Sequence, residues 1–97
     1  MKTREEILNL LSREKPRLVD HYKIRRLALF GSYAREDQNE RSDVDILVDV
    51  DPGIGLEFVS LADELERLLG KRVEMVSFRA IKPRHWKVIE PELVDVE

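Results

Sequence analysis

The chain has 97 residues, of which 42% are apolar and 38% are charged, and its net charge is −3. This length suffices for one hydrophobic core, so we expect a single domain over residues 1–97 without a second lid or substrate domain. Because cysteine is absent, disulfide scaffolds, zinc fingers, iron–sulfur sites and cysteine nucleophiles are excluded. The longest apolar run, Leu27–Phe30, is too short for a membrane span or a signal peptide, so we expect a cytoplasmic protein.

The charged residues are distributed in blocks. Residues 36–51 hold seven acids against one arginine, whereas residues 24–35 and 79–87 hold only basic residues among their charges. Such a pattern is typical either of solvated loops or of a site that holds cations and a polyphosphate together. The net negative charge and the divided basic residues argue against direct nucleic-acid binding.

The first half of the chain predicts a helix, a strand and a short helix. Thr3 and Glu6 have the spacing of a capping box that begins a helix, and Pro16 is expected to begin a second short helical turn. The pattern then predicts a buried strand, a short helix and a polar loop, over residues 24–30, 32–35 and 36–42.

The second half of the chain predicts a strand, a helix, a third strand and a C-terminal tail. Apolar residues alternate over 44–50, then recur at helical spacing over 55–69, where Gly70 suits the end of a helix. A third strand, a basic segment and a weak last strand are predicted over residues 72–78, 79–87 and 92–96. We therefore expect an α+β fold in two layers, with helices on a small mixed β-sheet.

Two short motifs carry the predicted chemistry. Asp43 and Asp45 are two residues apart at the start of a strand, so both carboxylates lie on one face, where they suit divalent cations. Upstream, Gly31 and Ser32 end a buried strand, where glycine permits a close approach of the backbone and serine adds a hydroxyl donor. Either motif alone is ordinary, but together they place phosphate donors opposite metal-binding carboxylates.

The segment Gly31–Arg35, followed after an interval by Ser42–Val48, resembles the signature of the minimal nucleotidyltransferases. These belong to the DNA polymerase beta superfamily, with distant relatives among the aminoglycoside nucleotidyltransferases. The resemblance extends over nearly the whole chain. It implies the polymerase beta-like nucleotidyltransferase fold and a reaction in which an acceptor hydroxyl attacks the α-phosphorus of a nucleoside triphosphate.

The resemblance also implies roles for individual residues. Asp43 and Asp45 would hold Mg²⁺, two ions in all, and Glu74 on the later strand is the candidate third catalytic carboxylate. ATP would be bound by Gly31 and Ser32 of the glycine–serine motif and by the basic side chains of Arg35 and Arg41. For both arginines a solvated surface position is the alternative.

Two positions depart from the family pattern. Glu74 stands where relatives have aspartate, and its alternative interpretation is a plain glutamate on an edge strand. Glu36 stands where relatives commonly have glycine, and its acid either weakens phosphate binding or points to solvent.

The resemblance further implies a protein partner. Small members of the family resemble antitoxins that transfer AMP to a tyrosine of a HEPN ribonuclease toxin encoded by a neighbouring gene. The alternatives are an antitoxin that acts by binding alone, and transfer to a small molecule or an RNA with the help of a partner subunit. The basic segment with Trp86 is either a docking segment or a turn packed on the sheet, and exposed sheet edges suit homo- or hetero-oligomers.

Overall fold

The first helix begins where the capping box predicts it, in a computed structural model that describes residues 2–97. The Thr3 hydroxyl accepts a hydrogen bond from the Glu6 backbone N–H at 3.1 Å, and the Glu6 carboxylate accepts one from the Thr3 N–H at 3.2 Å. Helix α1 (Arg4–Tyr22) runs through Pro16 without a break, so the prediction of a second helical turn at that proline was wrong. Leu11 and Leu18 are both buried, and this shared core face holds the helix continuous across the proline.

Four strands form one mixed sheet in the order β3-β2-β1-β4. The strands are β1 (Arg26–Phe30), β2 (Val44–Asp49), β3 (Val73–Ser77) and β4 (Val94–Asp95). β2 is antiparallel to β1 and parallel to β3, and β4 is antiparallel to β1. The other helices are α2 (Gly31–Arg35), α3 (Glu57–Leu69) and α4 (Pro83–Ile89). The α+β fold with a mixed sheet is thereby confirmed.

The sheet has one apolar face and one face that carries acids. Val44, Ile46 and Val48 alternate along β2 and belong to the core that α1 and α3 complete. Asp45 and Asp49 point the opposite way, on either side of the fully buried Leu47. The core helices α1 and α3 therefore lie on the face of β2 opposite to Asp45 and Asp49.

Helix α3 forms the crossover between the two parallel strands. Its buried Leu61, Leu65 and Leu69 recur every four residues, and Gly70 ends the helix in the left-handed region at φ 64°. A parallel pair needs such a crossover, and this one aligns β3 beside β2. None of the helices between residues 2 and 97 is long and apolar enough to cross a membrane.

The last predicted strand is shorter than expected. The sequence pattern extends it over residues 92–96, but the strand covers Val94–Asp95, with one further hydrogen bond from the Val96 N–H to the Leu27 carbonyl of β1. Pro91 lies inside a 3₁₀ turn over Glu90–Glu92, and this turn takes Glu92 out of the sheet.

Candidate active site

Strand pairing brings the predicted carboxylates together at one position of the sheet. Asp45 on β2 is aligned with Phe30 at the end of β1 and with Glu74 on β3. Asp43 directly precedes the first residue of β2. Glu74 is exposed on β3, which is an edge strand of the sheet. Glu74 is therefore both an edge-strand glutamate and a neighbour of Asp45.

The carboxyl group of Asp45 has a strongly altered proton affinity. Partial burial, together with the charges of Glu74 and Asp43, raises its pKa to about 6. The Arg35 guanidinium acts in the opposite direction, and the carboxylate of Glu92 raises the pKa further. Asp45 is thus held among other acids in surroundings that disfavour its charge.

The acids of residues 36–51 divide into those that form an ion pair and those that do not. Three of them pair with arginines: Glu36 with Arg4 at 2.7 Å, Asp37 with Arg35 at 3.0 Å, and Asp49 with Arg79 at 3.2 Å. Within residues 2–97, by contrast, Asp43, Asp45 and Glu74 form no ion pair. Glu40 and Asp51 are likewise unpaired among residues 2–97, but Asp43 and Glu74 are the unpaired acids whose charges act on Asp45.

Their chemistry fits a hard divalent cation. Mg²⁺ prefers carboxylate oxygens, and a bound cation would relieve the repulsion between these acids. Over the part of the chain that the structure describes, no three acid or histidine side chains already converge in a metal-holding arrangement. The carboxylates are therefore neighbours along the sheet and not a preformed cage, and their metal-binding role stays a prediction.

Gly31 lies directly against Asp45. Its φ of +76° lies in the left-handed region, and a Cβ atom added there would meet the Asp45 Oδ2 atom at 1.9 Å. The sequence predicts a close approach at Gly31, and the group that approaches is the Asp45 carboxyl. Only glycine leaves room for Asp45 in this position, which links the two predicted motifs physically.

The predicted nucleotide ligands are not all equally close to this point. Ser32 follows Gly31 in α2, and its hydroxyl makes no hydrogen bond within residues 2–97. The Arg35 guanidinium donates to the carboxylates of Asp37 and Glu92, which raise its pKa. Arg41 is exposed in the loop before β2, and its guanidinium contacts no acid among residues 2–97. The phosphate-binding role of all these residues stays a prediction.

Glu92 is a site residue that sequence reasoning missed. One carboxylate oxygen accepts the Gly31 backbone N–H at 2.9 Å, and the other accepts the Arg35 Nη1–H at 3.0 Å. Sixty-one residues separate Glu92 from Gly31 along the chain. No spacing motif connects positions so far apart, and the pattern at residues 92–96 favoured a strand.

Glu36, the departure from the family pattern, has a structural explanation. It ends α2 with φ 63°, the left-handed conformation that favours glycine. Its carboxylate pairs with Arg4 of α1, whose guanidinium also donates to the Ala34 carbonyl. The acid is therefore directed to the start of α1, where it helps to attach α2.

The apolar cavities lie elsewhere. A cavity of about 320 Å³ is lined by Val50, Ile54 and Phe58 among others, at the opposite end of β2 from Asp45. In the basic segment, Trp86 packs edge-on against Phe78 with ring centroids 5.1 Å apart. Trp86 is thus partly buried within its own segment.

Comparisons with known proteins agree with this fold. The nucleotidyltransferase domain family matches residues 7–96. Protein adenylyltransferase MntA of Thermococcus cleftensis is 41% identical over 99% of this chain and 98% of its own length. A solved structure described as a proposed minimal nucleotidyltransferase is 33% identical, with a TM-score of 0.80 over 96% of this chain and 95% of that chain.

A more distant structure shares the fold alone. It is a complex of tri-AMPylated HEPN toxin from Shewanella oneidensis with MNT antitoxin, 22% identical, with a TM-score of 0.67. The match covers 93% of this chain and 71% of that chain. From the family match and the relatives above 30% identity, this chain belongs to the nucleotidyltransferase domain family, as one of its minimal members.

Proposed function

We propose that this protein is a Mg²⁺-dependent protein adenylyltransferase that transfers AMP from ATP to a tyrosine of a HEPN ribonuclease toxin and thereby acts as its antitoxin. The observation that carries the proposal is the group of unpaired acids beside Gly31, where Asp45 is held against the glycine–serine motif. A relative 41% identical is named a protein adenylyltransferase, and the fold recurs in a complex whose HEPN toxin carries AMP groups. We expect the toxin gene beside that of this protein.

In the proposed reaction the tyrosine oxygen attacks the α-phosphorus of ATP, a new oxygen–phosphorus bond forms and pyrophosphate leaves. Asp43, Asp45 and Glu74 are the residues that would hold Mg²⁺. When bound there, Mg²⁺ supplies charge neutralisation of the phosphate oxygens and a lowered pKa of the acceptor hydroxyl.

The remaining residues of the site bind and orient the triphosphate. The Ser32 hydroxyl and the backbone of Gly31 and Ser32 are donors for the β- and γ-phosphates. Arg35 and Arg41 offset the negative charge on the departing pyrophosphate.

The test is the intact mass of the partner toxin after incubation with this protein, ATP and Mg²⁺. We expect a mass gain of one or more AMP groups with the wild-type chain and none with the double variant Asp43→Asn, Asp45→Asn. Asp49→Asn is the matched control, because Asp49 lies on the same strand but is paired with Arg79. No mass gain with the wild-type chain would contradict the proposal.

A second candidate function is an antitoxin that silences its partner by binding alone. Two departures from the family pattern favour this candidate, Glu74 where relatives have aspartate and Glu36 where they commonly have glycine. Neutralisation of the toxin by the Asp43→Asn, Asp45→Asn variant, without any mass gain, would identify binding as sufficient. Labelled-nucleotide transfer to total RNA without the partner would indicate an RNA acceptor instead.

A further inference from the structure

Glu92 occupies donors that the proposed function assigns to phosphate. Its two oxygens accept hydrogen bonds from the Gly31 N–H and from the Arg35 guanidinium, at 2.9 and 3.0 Å. Carboxylate and phosphate oxygens are the same kind of acceptor for an N–H group and for a guanidinium. The side chain therefore holds one negative charge where a polyphosphate would bring several.

We propose that Glu92 is an affinity-setting residue of the nucleotide site, whose carboxylate occupies the anion position between Gly31 and Arg35 and must be displaced when a triphosphate binds. The inference rests on the proposed function, since it takes Gly31 and Arg35 as phosphate donors. The displaced acid cannot stay beside the incoming phosphates, because like charges repel strongly at such short range. The charge of Glu92 also reaches Asp45, where it raises the pKa.

The fold permits this displacement without unfolding of the C-terminal segment. The Glu92 side chain is 20% exposed, so it can turn outward from the 3₁₀ turn that carries it. The segment beyond it is attached independently. Asp95 pairs with Arg26 at 2.8 Å, and Val96 is buried, with its N–H bonded to the Leu27 carbonyl. Displacement thus requires the rotation of one side chain.

Asp37 shows why Glu92 in particular sets the affinity. The Asp37 carboxylate also accepts a hydrogen bond from Arg35, but from its Nε–H group, and Asp37 lies only two residues further along the chain. Among residues 2–97, Glu92 alone connects the guanidinium to the Gly31 N–H, and it thus occupies two donors at once. A triphosphate that displaces Glu92 can leave the Asp37 contact in place.

The test is the equilibrium affinity of the full chain for ATP with Mg²⁺, measured by calorimetry for the wild type, Glu92→Gln and Asp95→Asn. Glutamine keeps an oxygen for the Gly31 N–H but loses the charge that holds Arg35. We expect Glu92→Gln to bind ATP about three- to tenfold more tightly. Asp95→Asn alters a paired acid three residues away and should leave the affinity unchanged. Glu92→Ala should also bind more tightly, and thermal unfolding checks that each variant is folded.

Tighter binding by both Glu92 variants, or binding by them alone, supports the inference. Equal or weaker ATP binding by Glu92→Gln, or no binding by any form, overturns the inference. Weaker binding would show instead that Glu92 positions Gly31 and Arg35 for the nucleotide. The proposed function is judged separately from the mass of the partner. AMP transfer by the wild type without tighter binding by Glu92→Gln refutes the inference alone, whereas tighter binding without any transfer refutes the proposed function alone.

Discussion

Asp45 is the residue at which the two sequence motifs meet. Its backbone is aligned with Glu74, its carboxyl lies against Gly31, and its pKa is raised to about 6 by burial and by the neighbouring acids. A raised pKa means that the ionised carboxyl destabilises the folded state. The site therefore has a cost in stability that a bound cation would relieve.

This cost predicts a pH dependence for the metal-free protein. The folded state holds a proton on Asp45 up to about pH 6, whereas the unfolded chain loses it near the ordinary value of 3.8. The contribution of Asp45 to the free energy of unfolding should therefore fall as the pH rises from about 4 to 6. Asp45→Asn should remove this loss and stabilise the protein by on the order of 1 kcal/mol at pH 7.5, after allowance for solvent screening.

The measurement is thermal unfolding of both forms from pH 4 to pH 8 in the presence of a chelator. A gain of 1 kcal/mol corresponds to a Tm increase of about 4–8 °C in a domain of this size. The gap between the variant and the wild type should open between pH 4 and 6 and then stay constant. Asp49→Asn is the control, since its acid is paired with Arg79. A gap that is independent of pH, or a variant less stable at pH 7.5, would refute the explanation.

At this scale the sequence predicts some residues well and others not at all. Gly31, Asp43 and Asp45 belong to short motifs on adjacent elements, so local patterning suffices to find them. Glu92 reaches the site only because Pro91 turns the chain before β4. Such a contact depends on tertiary structure, and no periodicity in the sequence indicates it.

At the scale of elements, α1 shows where a local rule fails. A proline inside a helix lacks the N–H that bonds four residues back, so Pro16 predicts a new helical segment. The structure has one helix, because Leu11 and Leu18 pack on the same core. Tertiary burial outweighs the local preference here. The other helix ends follow from local signals, as at Thr3 and Gly70.

The uninterrupted helix predicts that Pro16→Ala is stabilising. Alanine restores the N–H donor to the Ser12 carbonyl and removes the ring, while it makes the unfolded chain more flexible. We expect a net increase of about 1 kcal/mol in the free energy of unfolding, measured by urea denaturation. Pro83→Ala is the matched control, because Pro83 stands in the first turn of α4, where the N–H has no partner within the helix. The control should show no gain, and a destabilised Pro16→Ala would mean that the proline favours the observed shape of α1.

At the scale of the whole molecule, the division of charge along the chain acquires a spatial meaning. The basic flanks supply Arg35 and Arg79, which pair with acids of the central block. Among residues 2–97, the acids without an arginine partner include Asp45, whose carboxyl lies against Gly31, and its neighbours Asp43 and Glu74. The distribution of charge along the sequence suggests a site for cations and a polyphosphate. It cannot indicate which acids form ion pairs with arginines, because each ion pair joins residues that are distant along the chain or separated by a turn.

The fold as a whole was predictable to a large extent. Strong alternation along β2 and the helical spacing in α3 correspond to the strand and helix that form the centre of the structure. The short elements at the C-terminal end depend on Pro83 and Pro91 and on pairing with β1, and their lengths were less predictable. The likeness to minimal nucleotidyltransferases is confirmed by the family match over residues 7–96.

The central claim is nucleotidyl transfer to a protein, and the position of a radioactive label tests it most directly. The partner toxin is incubated with this protein and Mg²⁺, with ATP labelled on either the α- or the γ-phosphate, and the label on the toxin is counted. Attack at the α-phosphorus predicts that the toxin retains the α-label and that the γ-label leaves in pyrophosphate. A toxin that carries the γ-label, or neither label, would contradict the account.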